Sequence, residues 1–479
     1  LRFILSRSGL EYSEKSYKQS QIICRRGDPA KDMFFVKEGT VEVEVGSKKK
    51  EKKYILHEAM FGEVGVLSEK GVRTATCKAH TDVVLVCLAA DQVQLLTKNF
   101  PEYGNCVKKR ALSIVDGSDE TDNEVFKDIL KLHPLTNSLE FVHNHSIGER
   151  LAADISESVF DSPLAKSARE EVPLGSLDLD TLSLSDEQML CLLEVMFERL
   201  HLIEELQMER KKLRRFLLLF RLHCRTNPYH NFQHMFTVAQ MVFSVISAPP
   251  VSEKVEKLEK MAVLISAICH DLDHPGLTNS FQSNSQSKLT SKFSSSFLEN
   301  HHASLLWELL LIPEADFLNC LSAEDYMYVR KTINECILAT DMAQHNKIVE
   351  SCKSRLANFD MTNKEHSRLF LLLVLKLADI ANESRPFSIS SKWAKNLVEE
   401  NGAQYTLETT LKLPKAEYMN PARIDLAKVQ VFFIDSFLLP LARVVAELEP
   451  KLEFILERVT KNRTIWMSKS EKEPEIGSP

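Results

Sequence analysis

The sequence predicts a multidomain protein, an N-terminal α+β domain followed by a C-terminal domain built almost wholly of packed helices. Three observations carry this. The chain has 479 residues, more than one ordinary domain holds and enough for two or three. From Ser20 to about Val86 apolar residues alternate or come in short runs broken by glycine. From Ser185 onward they recur at the three- and four-residue spacing of amphipathic helices.

In chain order, "DMFFVKEGTVEVEV" alternates in its second half and "HTDVVLVCLA" is a short apolar run after turn-formers, so both read as strands. Glycines at 27, 39, 46, 62, 65 and 71 punctuate this region, as short strands joined by turns require. After Asp91, "QVQLLTKNF" turns helical before Pro101 interrupts, which sets the first domain at residues 1–110. Residues 111–175 read as a linker with some helix in it: "DGSDETDNE" is acidic and poor in apolar residues, and "PLAKSARE" is a turn or short helix. Residues 176–470 form the all-α domain and 471–479 a tail. "SDEQMLCLLEVMFERL" opens with an N-cap serine and acidic residues in its first turn, and "SRLFLLLVLKLADIANESRP" continues the helical pattern.

A composition of 44% hydrophobic and 27% charged residues suits a soluble globular chain with a large core. The net charge of −7 leaves no global basic field for nucleic acid, and the runs "GSKKKEKK" and "ERKKLRR" read as solvated faces. Ten scattered cysteines without a CxxC pair suit a reducing compartment, so a cytoplasmic location is expected. No membrane span is expected: no run approaches ~20 apolar residues, and "LFLLLVLKLADIA" is cut by Lys376. The opening "LRFILSRSG" has neither an initiator Met nor a signal-peptide layout, and an excised or incomplete chain is expected.

Unusual chemistry is concentrated in "NPYHNFQH", "CHDLDHPG" and "KLADIAN". His230 and His234 are four apart, on one face if helical, and His274 lies one turn beyond His270. Asp379 ends a strongly apolar helix, a costly position for a carboxylate unless something cationic receives it. Each histidine alone is more often a satisfied core or capping residue. The set of His234, His270, Asp271 and Asp379, with His274 nearby, points instead to a metal site. Imidazole with carboxylate suits Zn²⁺, and carboxylate with water suits Mg²⁺ or Mn²⁺.

"YHNFQH", "ICHDLDHPG", "LENHH", "ILATDMAQH", "LADIANESRP" and "QVFFID" occur in this order, and over Leu177 to Thr464 the chain resembles the class I cyclic-nucleotide phosphodiesterases of eukaryotes, an HD-type all-α fold. The resemblance implies that His234, His270, Asp271 and Asp379 hold Zn²⁺ and that Asp271 bridges to a second divalent ion, Mg²⁺ or Mn²⁺. His274, Glu299 and Thr340 would orient that ion's waters, with the bland alternatives of a plain helix carboxylate for Glu299 and an N-cap for Thr340. His230 would protonate the departing O3′, opening the cyclic diester to a 5′-monophosphate. Gln430 would hydrogen-bond the purine edge, Phe433 and Leu397 would clamp its faces, and Tyr229, Met342 and Asn382 would line the pocket. A glutamine amide can donate and accept, so adenine and guanine stay open. Phe432 stands where the family usually has Gly and is expected to crowd the base, Ala381 replaces a common Ser, and "KFSSSFLENHH" lacks the usual Tyr-Asn-Asp.

"FGEVGVLSEKGVRTATCKA" joins a Gly-Glu turn to an Arg among small residues, chemistry suited to an anion cradle. Between "RRGDPAKDMFFVKEG" and "DVVLVCLAADQVQLLTKNFP" it resembles, over Ser20 to Cys106, the cyclic-nucleotide-binding domain of nucleotide-regulated kinases and channels, a β-roll with flanking helices. That implies Glu63 on the ribose 2′-hydroxyl and Arg73 on the cyclic phosphate, with Gly62 and Thr74 lining the cassette. Val64-Gly65-Val66 departs from the usual "LAL"-like stretch. The leading expectation is a metal-dependent phosphodiesterase for cAMP, cGMP or both, taking cyclic nucleotide as substrate and as regulator, with a homodimer compatible with the resemblance. The competing expectations are a nucleotide sensor on an inactive scaffold and another HD-type hydrolase.

Overall fold

The protein is described by a computed structural model over residues 11–45, 52–57, 60–67, 71–99 and 157–470. It divides into two compact units, one from the residues before 150 and one from those after it, 322–324 excepted. Residues 100–110, most of the expected linker (111–156) and the tail 471–479 lie outside the described residues.

The first unit holds two four-stranded antiparallel sheets. One runs β1 (Ser13–Tyr17), β8 (Val83–Ala89), β3 (Asp32–Glu38), β6 (Met60–Phe61); the other runs β2 (Ile22–Cys24), β7 (Thr76–Ala79), β4 (Thr40–Val45), β5 (Lys52–His57). The alternation in "TVEVEV" has its expected outcome: Val41 and Val43 are buried opposite Ala79 and Cys77, and Glu42 and Glu44 are not. Phe34, Val36, Leu56, Phe61, Val83 and Leu85 complete this core. A five-residue helix, α1 (Glu63–Leu67), and α2 (Ala90–Asn99) flank the strands.

The second unit is helical. Its first elements fall in the span expected to be a linker. A turn of 3₁₀ helix at Glu157–Asp161 buries Phe160 beneath the Arg214 guanidinium, 5.0 Å from the ring centroid. "PLAKSARE" becomes α3 (Pro163–Glu171), with Ser162 accepting from the Ala165 N–H and Pro163 where no N–H is needed. It packs on α4 (Asp186–Arg199), whose capping box pairs Ser185 with Gln188. Buried Glu194 on α4 receives Arg214 of α5 (Arg210–Leu222) at 3.0 Å and Arg169 of α3 at 3.6 Å. Three helices pack on one another at the centre: α6 (Phe232–Ser247), α7 (Lys257–Cys269) and α10 (Lys364–Ile380). Around them lie α8 (Phe297–Leu309), α9 (Ala323–Ala339), α11 (Phe387–Leu411) and, after a loop, α12 (Leu426–Phe433), α13 (Leu439–Leu448) and α14 (Glu453–Ser470).

One expectation needs correction. Helix α12, a π-turn at Ile434–Leu438 and α13 run on without a break, so Leu426–Leu448 makes 23 residues, within which an 18-residue window has a mean hydropathy of 1.7, long and apolar enough to cross a membrane. Reading side chains without knowing that the turns join missed it. Length and composition are weak evidence for a span. Ile434, Leu438, Leu441, Val444 and Val445 are buried here, and the run packs against α10 and α14, as a core helix does.

Candidate active site

The ends of the three central helices meet. Asn231 caps α6 by accepting from the His234 N–H at 3.1 Å, which places His234 in the first turn, fully buried. Helix α7 is apolar to its last residue and then stops at His270, whose Nδ1–H donates to Ala267 O at 2.9 Å and leaves Nε2 facing outward from the helix end. Asp379 lies in the last turn of α10. The C-terminal ends of α7 and α10 add partial negative charge where carboxylates already gather, and such a place favours a cation.

His234 Nε2 lies 3.3 Å from an oxygen of Asp271 and 3.3 Å from one of Asp379. His270 Nε2 lies 3.2 Å from the same two oxygens and 3.2 Å from His234 Nε2. Ligands ~2.05 Å from a tetrahedral ion stand ~3.3–3.4 Å apart, so the spacings have the size of a coordination cage. The sets His234, His270, Asp271, Asp379 and Asp271, His274, His302 could each hold an ion, and Asp271 belongs to both. The imidazoles hold Asp271 and Asp379 well below the usual carboxylate range, although burial opposes this. His302 donates from Nδ1 to Leu272 O at 2.6 Å, and its buried Nε2 has no hydrogen-bond partner and stands 3.6 Å from Asp271 Oδ1. A bare ring nitrogen facing a carboxylate is explained if a proton-bearing ligand sits between them.

Glu299 is buried, and burial pushes it up to about 7 while Asn279 Nδ2 donates to both its oxygens at 3.0 Å. Thr340 is buried and donates to Ile337 O at 2.7 Å; the capping its bland alternative assigned to it is done by Asp341, which accepts from the Ala343 N–H. Lys376, 1% exposed, donates to Ala339 O at 3.0 Å beside Thr340, and it interacts with Asp379, Asp341 and Glu299.

His230 and His274 stack with ring centroids 4.0 Å apart, in opposite electrostatic settings. Burial pulls both down. For His230 that pull is outweighed by its Nδ1 contact with Glu400 and by the charges of Asp271, Glu400 and Asp379, so it titrates above its ordinary value. His274 is driven well below, by burial and then by charge on His230. Paired groups pushed apart in this way can divide acid and neutral roles. Glu400 also accepts from the Tyr229 and His230 N–H groups at 2.9 and 3.0 Å. Sequence reasoning missed Glu400, one acidic residue among several in α11 and 170 residues away, which no local spacing marks. It also passed over His302 and Asn227 inside motifs that it had singled out.

In the pocket, Tyr229 accepts from Asn382 Nδ2 at 3.2 Å and packs with Ile389 and Trp393, with Leu397 against that cluster. Gln430 is buried on α12, Phe433 lies three residues on with its ring 5.8 Å from Phe437, and Met342 is exposed. Among the described residues no hydrogen bond or ring contact joins Gln430 or Phe433 to Tyr229 or Asn382. Phe432 does not crowd this face: it is 66% exposed, because helical periodicity turns it away from the face that Gln430 and Phe433 share.

In the first unit, Glu63 opens α1 and is buried. Arg73 is 6% exposed, its guanidinium 4.7 Å above the Phe34 ring and donating to Gly62 O at 3.3 Å. Gly62 has φ +86° and Thr74 is exposed. The Gly65 departure has a steric reason: a Cβ there would meet Ala30 Cβ at 2.6 Å and Val72 O at 2.8 Å.

Known proteins give the same division. The family described as "3'5'-cyclic nucleotide phosphodiesterase" matches residues 229–459, and "Cyclic nucleotide-binding domain" matches 14–99. The mouse protein named high affinity cGMP-specific 3′,5′-cyclic phosphodiesterase 9A is 35% identical over 287 residues, 60% of this chain and 53% of that protein. The 3′,5′-cyclic-nucleotide phosphodiesterase regA of Dictyostelium discoideum is 30% identical over 401 residues, 82% of this chain and 50% of that protein. The chain thus spans about half the length of these relatives. The crystal structure of the phosphodiesterase domain of the RhoPDE fusion protein from the choanoflagellate Salpingoeca rosetta aligns with a TM-score of 0.61 and 32% identity, over 64% of this chain and 98% of that one.

Proposed function

This chain belongs to the 3′,5′-cyclic nucleotide phosphodiesterase family, and from that premise we propose that it hydrolyses cAMP, cGMP or both to the 5′-monophosphate. The observation that carries the reading is the cage in which each of two imidazole nitrogens lies 3.2–3.3 Å from both of two carboxylate oxygens, with a Glu400-braced histidine beside it.

His234, His270, Asp271 and Asp379 would hold Zn²⁺, and Asp271 with His274 and His302 would hold a second ion, Mg²⁺ or Mn²⁺; Glu299 and Thr340 would orient that ion's waters. When bound, such ions neutralise a phosphodiester anion and lower the pKa of their bound water toward ~7. The chain's own residues do the rest. His230, protonated and held at Nδ1 by Glu400, offers its Nε2 proton to the departing 3′-oxygen, which as a free alkoxide would be a poor leaving group. His274, kept neutral, packs against it without competing for the proton. Gln430 reads the purine edge, Phe433 and Leu397 flank the ring, and Tyr229, Asn382 and Met342 line the space around it. The names of the mouse and human relatives make cGMP the first substrate to try.

In the first unit, Arg73 would take a cyclic phosphate and Glu63 a ribose hydroxyl, beside Gly62 and Thr74, so that bound nucleotide modulates turnover by favouring one state of the sensor. Cys24, Cys77, Cys87, Cys191, Cys224, Cys269, Cys336 and Cys352 are buried free thiols, which supports a reducing, cytoplasmic setting. A homodimer is the assembly to look for by sedimentation.

The test is direct. Protein incubated with cAMP or cGMP and Mg²⁺ or Mn²⁺ is expected to yield the 5′-monophosphate; metal-loaded protein giving no product from either nucleotide would leave a sensor on an inactive scaffold.

A further inference from the structure

We propose that Asn227 is a positioning residue that ties the proton-donating histidine to the loop carrying Asp271 and His274. This rests on the proposed role of His230. The Asn227 side-chain amide donates from Nδ2 to two backbone carbonyls, His230 O at 2.8 Å and His274 O at 2.7 Å. Both amide hydrogens are therefore used, each on a different side of the reaction centre. Among the described residues no other side chain hydrogen-bonds to both His230 and His274. Glu400 fixes the His230 ring and its N–H, while Arg225 and His301 fix the loop through Asp273 at 2.6 and 2.8 Å.

The surroundings are built to keep this amide in place. Asn231 Nδ2 donates to Asn227 O at 2.9 Å while its own carbonyl oxygen caps His234, so the turn from 227 to 234 closes on itself. Gly276, at φ +72°, comes so close that a Cβ would lie 3.1 Å from Asn227 Oδ1. Its N–H donates to His274 Nδ1 at 3.0 Å. A larger residue at 276 would push on the amide and strain the backbone together.

The consequence is a fixed separation. The His230 and His274 rings stack at 4.0 Å with planes 23° apart, and Asn227 bonds the main chain beneath both. Proton transfer requires a heavy-atom approach of about 2.6–3.2 Å, and misplacement by about 1 Å can cost 10²-fold. Without the clamp, His230 can drift from a leaving group whose phosphate is held by the metal loop.

The experiment separates this from simple loop closure through the leaving group. A 3′-bridging phosphorothiolate analogue of the cyclic nucleotide departs as a thiolate that needs no proton. In Asn227→Ala, kcat for the natural nucleotide is expected to fall on the order of 10- to 100-fold with KM nearly unchanged, while kcat for the analogue falls less than about threefold. Asn227→Asp, the same shape without donors, is expected to give the same split if the alanine variant does not fold. Unchanged turnover of the natural nucleotide, or equal losses on both substrates, would overturn the clamp. His230→Ala is measured alongside. If it shows the split and Asn227→Ala does not, the clamp alone fails; if it slows both substrates alike, the proton-donor role fails and takes the clamp with it.

Discussion

In the helical unit, two buried imidazoles face two half-buried carboxylates, each ring nitrogen 3.2–3.3 Å from both, and His302 points a bare nitrogen at Asp271. In the β-rich unit, Arg73 is also buried, but protein already holds it, through the Phe34 ring and the Gly62 carbonyl. The first arrangement stays costly until something cationic joins it. The second is at rest without a ligand. The difference matches two tasks. A reaction centre gains from charges fixed in advance, whereas a sensor must exchange one set of contacts for another if binding is to shift its state.

The contrast predicts the largest loss at the cage. Asp379→Ala removes one of the two carboxylates that meet both imidazoles, and is expected to lose the tightly held metal and at least about 10³-fold in turnover. Metal content by elemental analysis checks the first and product formation the second. A variant that keeps its full metal complement would mean that the cage closes without Asp379.

Glu400→Gln comes next, and its effect has a sign. Burial lowers His230, but the Glu400 hydrogen bond and the neighbouring carboxylates outweigh it and raise the group. A proton donor works only while protonated, so turnover is lost as pH rises through that raised value. Replacing the carboxylate lowers it, so the alkaline limb of kcat should move to lower pH, with about a tenfold lower maximum. A limb that stays in place would separate Glu400 from the proton donor.

A smaller effect on turnover, but a complete one on regulation, is expected from Arg73→Ala. With a slowly hydrolysed phosphorothioate nucleotide, equilibrium dialysis should show one binding site per chain fewer than in the unaltered protein. Retention of both would remove Arg73 from the cassette, and the comparison between the units would lose its second member.

How much of this was legible beforehand depended on distance in sequence. The cage was readable because apolar helices ending in His270, Asp271 and Asp379 break the hydrophobic pattern where they end. The alternation of Val41 and Val43 gave the sheet face. Glu400 was not readable, because an acidic residue on a long polar-faced helix looks like any solvated carboxylate until folding sets it against His230. Phe432 misled for a related reason: it stands between Gln430 and Phe433 in sequence, but the helical turn carries it to solvent. The joined run Leu426–Leu448 was hidden because a π-turn, invisible in the residue pattern, lets one helix continue into the next.

The finest test of the contrast is Phe34→Leu. Phe34 stacks on Phe61 at 5.1 Å and lies under the Arg73 guanidinium, so it either aims that group at an incoming phosphate or holds it back. The guanidinium has five donors, and among the described residues Gly62 O takes one, so seating on the ring fixes the plane in which the others lie. A desolvated cation–π contact is worth up to about 2 kcal/mol, and part of that should appear as roughly 3- to 10-fold weaker nucleotide binding at the cassette. Thermal unfolding of the same variant measures the packing lost to Phe61 separately. Repeating the change in an Arg73→Lys background, where no planar group lies on the ring, should add little. Tighter binding in Phe34→Leu would mean that the ring competes with nucleotide for Arg73, and the cassette would then be a latched site and not a resting one.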